Sequence, residues 1–372
     1  MIDQSYMSLA LQLAEQGRYT THPNPRVGCV IVNHNQIVGT GWHERAGGPH
    51  AEVNALHAAG ERAAGATAYV TLEPCSHHGR TPPCADALIT AGIRHVVVAM
   101  QDPNPCVAGN GLQRLSQAGI DVRLLDGPLS AQAEQLNRGF VKRMRHGVPW
   151  VQVKLAMSLD GRTAMADGSS QWITGADSRA DVQRLRAQAS AIISGADTLL
   201  QDNARLTVRA NELALPEPEK TLAAQSQPMR IVIDSKLRVP AHHVFFQAPN
   251  AWIASPLQPS FSANWLATPS LQSRVCLESL LREVAEKHQI NEVLVEAGPQ
   301  LAGAFLNAQQ VDSIIVYMAA RLKGSQARPL FTLPLESMQQ AIELSIQDVR
   351  AIGADWRIEC APIYSRQADL PV

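Results

Sequence analysis

Apolar positions along the first 146 residues recur alternately at helical and at strand-like spacing. An amphipathic helix is predicted around Met7 to Gln16, a buried strand from Val27 to Val32 and a second strand around Ile37 to Thr40. Pro49 before His50 suits a helix start, and Ala51, Val53, Ala55, Leu56 and Ala59 continue a helical pattern. Ala68 to Leu72 and His95 to Met100 read as strands, with a helix opening at Cys84-Ala85 between them. A helix from about Gly111, a strand from Asp121 to Leu125 and a helix from Ser130 to His146 complete this part. The alternation predicts one sheet with helices on both faces. Gly147-Val148-Pro149 is a natural boundary.

After Trp150 the pattern restarts. Val151 to Leu155, Ile192-Ile193, Ile231 to Ile233, Val293 to Val295 and Ile314 to Val316 predict strands, and Arg179 to Gln188 predicts a helix. Leu215 to Pro228, rich in Pro, Glu and Gln, predicts a surface loop. This part has no Gly-x-Gly-x-x-Gly, so an ordinary dinucleotide fingerprint is not supported. A strand does run through Glu296-Ala297-Gly298-Pro299 into a helix, whose N–H groups would suit a phosphate. A plain turn accounts for those residues as well.

The chemistry concentrates in His50-Ala51-Glu52, Pro74-Cys75 and Cys84. One imidazole and two thiolates are the ligand set of a catalytic zinc that keeps a position open for water. Residues two apart on a helix diverge by roughly 200°. His50 and Glu52 therefore serve one metal only beyond the amino end of their helix. Cys84, after Pro82-Pro83, also opens a helix, and two such ends would favour thiolate. A structural zinc site, with His77 or His78 as fourth ligand, is the alternative. Cys29, Cys106, Cys276 and Cys360 lack ligand spacing and are expected to be packed free thiols.

A chain of 372 residues is long for one core, so two domains are expected. With 32 Lys and Arg against 33 Asp and Glu, the net charge of −1 argues against a nucleic-acid partner. The basic run Lys142, Arg143 and Arg145 reads as a solvated helix end. No signal segment opens the sequence and no apolar run reaches the ~20 residues of a membrane span. A cytoplasmic location without a membrane partner is the expectation.

His-x-Glu with Pro-Cys resembles the zinc deaminases of bases and nucleosides, most of which close with Cys-x-x-Cys. Here Ser76 to Pro83 separate the thiols. That insertion, His22-Pro23-Asn24-Pro25-Arg26-Val27-Gly28, Lys154-Leu155-Ala156-Met157-Ser158-Leu159-Asp160-Gly161, Ser170-Gln171-Trp172-Ile173-Thr174 and Glu296-Ala297-Gly298-Pro299 together resemble the bifunctional riboflavin-biosynthesis deaminase/reductase family. The resemblance spans nearly the whole chain. It implies an α/β fold in two parts: a cytidine-deaminase-like α/β/α domain over 1–146, then a dihydrofolate-reductase-like α/β domain over 150–372. It implies zinc-dependent hydrolytic deamination of a diaminopyrimidinone ribosylamino 5′-phosphate, then NADPH-dependent reduction of ribosyl to ribityl.

Roles follow residue by residue. His50, Cys75 and Cys84 would hold Zn2+, and Glu52 would move the proton. Asn24, His77 and Arg80 would contact the substrate's base or phosphate. In the reductase half the resemblance places cofactor contacts on Ala156, Trp172, Thr198, Asp202, Ser235, Gly298, Pro299, Gln300, Leu301, Ala302, Gly303 and Ala304. It places substrate contacts on Ser170, Arg186, Leu206, Arg209 and Glu296. Arg186 and Arg209 make sense as forks for the 5′-phosphate, each with a structural ion pair as alternative. Lys154 and Asp202 are the titratable groups expected beside the hydride step. The family usually reads Asp-Asp-Pro where this chain has Asp202-Asn203-Ala204, which puts that loop's rigidity in question. A homo-oligomer is expected. A tRNA or nucleoside deaminase fused to an unrelated NADPH-binding domain is the rival. Its His-Ala-Glu and Pro-Cys are shared, but the balanced charge, the long insertion and the second half argue against it.

Overall fold

The computed structural model describes residues 2–76, 83–105, 107–170 and 172–364. Two compact units emerge, one ending at Val148 and the other beginning at Pro149.

The first unit runs α1 (Ile2–Glu15), β1 (Gly28–Asn33), β2 (Gln36–Trp42), α2 (Ala51–Ala59), β3 (Thr67–Val70), α3 (Cys84–Thr90), β4 (His95–Val98), α4 (Asn110–Gln117), β5 (Asp121–Leu124), α5 (Pro128–Leu136) and α6 (Arg138–His146). Its sheet has the order β2-β1-β3-β4-β5, with β1 antiparallel to both neighbours and β3, β4 and β5 parallel. Strand alternation splits the core. Cys29 and Ile31 face Ala51, Ala55, Ala85 and Leu88, whereas Val30 and Val32 face Met7, Ala10, Ala133 and Val141. Helices therefore cover both faces, as the pattern predicts. Gly41 lets α2 lie directly on β2, since a Cβ there would stand 2.5 Å from the Ala55 nitrogen.

The helix expected from Ser130 to His146 is two helices broken at Asn137. The Asn137 carboxamide accepts from the Arg26 N–H at 2.8 Å and donates to the Arg26 carbonyl at 2.9 Å. A residue 111 positions away thus competes with the helix for that turn.

The second unit contains β6 (Trp150–Ser158), β7 (Arg162–Ala164), α7 (Ala176–Gln188), β8 (Ala191–Gly195), α8 (Ala196–Asp202), α9 (Glu219–Gln225), β9 (Met229–Ile233), β10 (Ala251–Ser255) and β11 (Asn264–Ala267). It continues with β12 (Ser270–Leu271), β13 (Arg274–Val275), α10 (Leu277–Lys287), β14 (Glu292–Glu296), α11 (Pro299–Asn307), β15 (Ser313–Ala319), β16 (Arg328–Pro329), β17 (Glu343–Ile352) and β18 (Asp355–Ile363). The main sheet is ordered β11-β10-β9-β8-β14-β6-β15-β18-β17, parallel up to β15 and closed by an antiparallel hairpin. One face packs Val153, Ile193 and Val295 against Leu281, Ala302 and Phe305; the other packs Ile192, Leu294 and Ile315 against Val182, Leu185 and Leu199. The expected loop from Leu215 to Pro228 holds the helix α9. Its Ala223 is fully buried, so tertiary packing overrides the polar composition.

Among the described residues no helix is long and apolar enough to cross a membrane. Cys29, Cys276 and Cys360 are free thiols, and Cys106 lies outside the described residues.

Candidate active sites: a thiol–imidazole cluster and a charged cleft

Three chain ends converge in the first unit. His50 is the extended residue capping α2 (φ −75°, ψ 163°), Cys75 follows β3, and Cys84 opens α3. The His50 Nδ1 lies 3.2 Å from the Cys84 sulfur and 3.6 Å from the Cys75 sulfur. All three donor atoms fall within 4.8 Å of one another. The Cys84 N–H, at the start of α3, donates to the Cys75 sulfur at 3.3 Å. That bond is what a helix amino end offers a thiolate. The Cys84 thiol, with His50 assisting, holds the Cys75 thiol well below its ordinary range. The side-chain hydrogen bond between the two sulfurs, together with burial, pushes the Cys84 thiol up. One nitrogen and two sulfurs so placed fit a zinc ion that leaves a position for water.

Glu52 stands in the first turn of α2 and is 3% exposed. Burial pushes its carboxyl up to about 7, with the nearby Cys75 adding to the rise. The charge of His50 opposes the rise without cancelling it, and a group poised near neutrality suits proton transfer. Asn24 is brought to the same side: its Nδ2 lies 3.0 Å from the His43 Nε2, and His43 packs edge-on to the His50 ring. His77 and Arg80 lie outside the described residues. Sequence reasoning missed two buried polar residues here, His43 and Glu73, each 3% exposed. For Glu73 a signal existed, a carboxylate immediately before Pro74-Cys75.

In the second unit a cleft of about 1850 Å³ opens over the ends of the parallel strands. Lys154 of β6 sits in register with Glu296 of β14, and both line it. Burial lowers the Lys154 amine and the Arg186 charge adds to this, while Glu296 and Asp202 oppose it. Burial raises Asp202, at the end of α8, and Lys154 opposes that rise. The Arg186 guanidinium grips Glu296 with two bonds, 2.6 and 2.9 Å, and donates to the Thr207 carbonyl at 3.1 Å. Arg186 thus makes the ion pair given as the alternative, and it also lines the cleft. Arg209 bonds Glu212 at 2.7 Å and keeps its side chain 46% exposed at the cleft.

The remaining expected contacts of this half line the cleft, with one exception. Ala302 is fully buried in the core and its N–H donates to the Gly298 carbonyl, so it offers neither group to a ligand. Gly298 caps α11 at φ −72°, and a Cβ there meets nothing within 4 Å. The backbone at this turn is therefore unstrained. Glycine is among the residues favoured at a helix cap, and here it also leaves the turn open at the cleft. Trp172 is 62% exposed with the Arg179 guanidinium 4.7 Å over its ring. The Ser235 hydroxyl accepts from the Val275 N–H at 3.1 Å, and Lys236 and Arg274 line the same end. Leu206 is buried in the core at φ 56°, in the left-handed region that residues other than glycine seldom adopt. Asn203 closes α8 in the left-handed region (φ 48°, ψ 44°), which Asn adopts readily. The departure from Asp-Asp-Pro thus retains a residue suited to that turn.

Residues 1–100 match the family described as the cytidine and deoxycytidylate deaminase zinc-binding region, and residues 149–358 match the RibD C-terminal domain. The riboflavin biosynthesis protein RibD of Escherichia coli K12 is 54% identical over 364 residues, covering 95% of this chain and 98% of that protein. The chain belongs to the RibD family. A Haemophilus influenzae RibD is 48% identical with 96% of each chain covered. A solved Acinetobacter baumannii RibD superposes with a TM-score of 0.90 at 43% identity, covering 97% of this chain and 99% of that one. A Thermotoga maritima structure, titled a diaminohydroxyphosphoribosylaminopyrimidine deaminase/5-amino-6-(5-phosphoribosylamino)uracil reductase, reaches 0.85 at 30% identity, with coverage of 97% and 99%. The chain is accordingly a bifunctional riboflavin-biosynthesis enzyme, a zinc-dependent deaminase followed by an NADPH-dependent reductase.

Proposed function

We propose that the first unit deaminates 2,5-diamino-6-ribosylamino-4(3H)-pyrimidinone 5′-phosphate and that the second reduces the ribosyl group of the product to ribityl. The observation that carries this reading is the pairing in one chain of Glu52 beside His50, Cys75 and Cys84 with the Lys154, Glu296 and Asp202 cleft. His50, Cys75 and Cys84 hold zinc, which when bound acts as a Lewis acid that makes water a nucleophile near neutral pH. Glu52 takes one proton from water and delivers it to the ring nitrogen as oxygen adds to the ring carbon; it then carries the proton of the added hydroxyl to the amine, which leaves as ammonia as the carbonyl forms. Asn24 orients the base, and His77 and Arg80 are assigned to the base or phosphate.

In the second unit NADPH supplies the hydride, and the natural acceptor is C1′ of the ring-opened imine. Lys154, depressed by burial, donates a proton or stabilises charge there, with Asp202 beside it. Glu296, held by Arg186, contacts the ribosyl chain. Arg209 takes the 5′-phosphate; Arg186 serves by fixing Glu296. Gly298, Pro299, Gln300, Leu301, Gly303 and Ala304 present the start of α11 to the cofactor phosphates, and Ser235 lies at its adenosine end. Ser170 and Leu206 border the substrate, while Ala156, Trp172 and Thr198 border the cofactor. The proposed compartment is the cytoplasm. The proposed assembly is a homo-oligomer, supported by the edge strand β17, which exposes Ile346 and Val349. Incubating the chain with the substrate, with and without NADPH, tests both steps. The deaminated ribosyl product is expected without NADPH and the ribityl product with it; failure to release ammonia in either case overturns the first assignment.

A further inference from the structure

The residue before Pro74-Cys75 is in contact with a distant loop through its side chain. One oxygen of the Glu73 carboxylate accepts from the N–H groups of Asp102 at 3.1 Å and Gly109 at 3.0 Å. The other accepts from those of Gly111 at 2.8 Å and Leu112 at 3.4 Å. The carboxylate thus engages four backbone donors with no cationic side chain among them. Two of these belong to the first turn of α4, whose early N–H groups have no partner within the helix.

The same segment is fixed elsewhere. The Glu73 N–H donates to the Met100 carbonyl at 3.0 Å, and the Cys75 carbonyl accepts from the Ala85 N–H at 3.1 Å. The loop also seats hard on Pro74: a Cβ at Gly111 would stand 2.0 Å from the Pro74 carbonyl oxygen, so only glycine fits. Pro74 has a restricted φ, which makes Glu73-Pro74-Cys75 a stiff unit.

We propose that Glu73 is a positioning residue of the zinc centre: by gripping the backbone at Asp102, Gly109, Gly111 and Leu112 it sets where the Cys75 sulfur stands. The inference rests on the reading of Cys75 as a zinc ligand. It makes metal binding and the order of that loop two sides of one coupling, which thermodynamics requires to be reciprocal. Glu73→Gln tests it, because one end of the amide becomes a donor facing two N–H donors. The full chain carrying Glu73→Gln should release zinc to a chelator about 10- to 100-fold faster than the parent, the scale of lost outer-shell support. Loaded with Co2+, it should also show shifted sulfur-to-cobalt bands, which a change in stability alone would not produce.

Hydrogen exchange on the parent chain supplies the second arm and needs no variant. The amides of Asp102, Gly109, Gly111 and Leu112 should exchange faster in metal-free protein than in the zinc form. Unchanged zinc release and cobalt bands in a folded Glu73→Gln overturn the proposal. Equal exchange at those four amides in both forms overturns it even where the variant does not fold. Cys75→Ser separates the two readings. Zinc retained in Cys75→Ser sinks the ligand assignment itself, whereas zinc lost there but held normally by Glu73→Gln sinks this inference alone.

Discussion

Each unit buries a glutamate at its site, and the two are treated in opposite ways. Glu52 has no arginine or lysine among the charges that shift it, and burial lifts its carboxyl to about 7. Burial also pushes Glu296 upward, but the charge and paired bonds of Arg186, with Lys154, outweigh it and hold the group below the ordinary value. The first is thereby suited to exchange a proton at neutral pH, and the second to remain a fixed anion that orients a substrate and a lysine. Desolvation is common to both; the partner decides which chemistry results.

The comparison breaks most sharply at Glu52. Glu52→Gln keeps the size of the side chain and removes the proton carrier, so deamination should fall about 10²- to 10⁴-fold. Zinc content and reduction of already deaminated substrate should be unchanged. Ammonia release at the parent rate would show that Glu52 is not the carrier.

Arg186→Leu should be the most destabilising of these changes, since it leaves Glu296 buried without its cation. Loss of one partner of a buried pair costs about 3–5 kcal/mol. Urea denaturation monitored on a fragment from residue 149 onward should show the loss; a midpoint within error of the parent would mean the pair is not structural.

The sign of the Glu296 shift gives a pH dependence. A depressed carboxylate contributes stability that is present above its unfolded value and is lost as pH falls through its lower folded value. The stability advantage of the parent over Glu296→Gln should be constant near pH 7 and shrink as pH drops below about 4.5. An advantage that instead grew on acidification would reverse the assignment.

Smaller effects separate ligand contacts from fold. A Cβ at 298 would meet no heavy atom within 4 Å, so Gly298→Val should cost only about 1 kcal/mol, the scale of a poorer helix cap, while weakening NADPH binding in a titration. Normal binding would remove α11 from the cofactor site. Lys236→Ala should lower the NADPH/NADH preference, and an unchanged ratio would exclude Lys236 as the residue that reads the 2′-phosphate.

What the sequence determined on its own is local. His50, Glu52 and Cys84 sit at helix starts, so their positions relative to the helix ends follow from capping and spacing, and the zinc cluster is legible from residue types and spacing alone. The alternation of Cys29 and Ile31 with Val30 and Val32 likewise announces helices on two faces. Tertiary structure alone decided the rest. It broke the helix at Asn137 through Arg26, paired Arg186 with a glutamate 110 residues away, and buried the polar-looking α9. It also turned Ala302 into the core and aimed four amides of a later loop at Glu73. Helix starts and strand alternation depend on residues a few positions apart, whereas a buried charge takes its partner from whichever strand end the fold brings beside it.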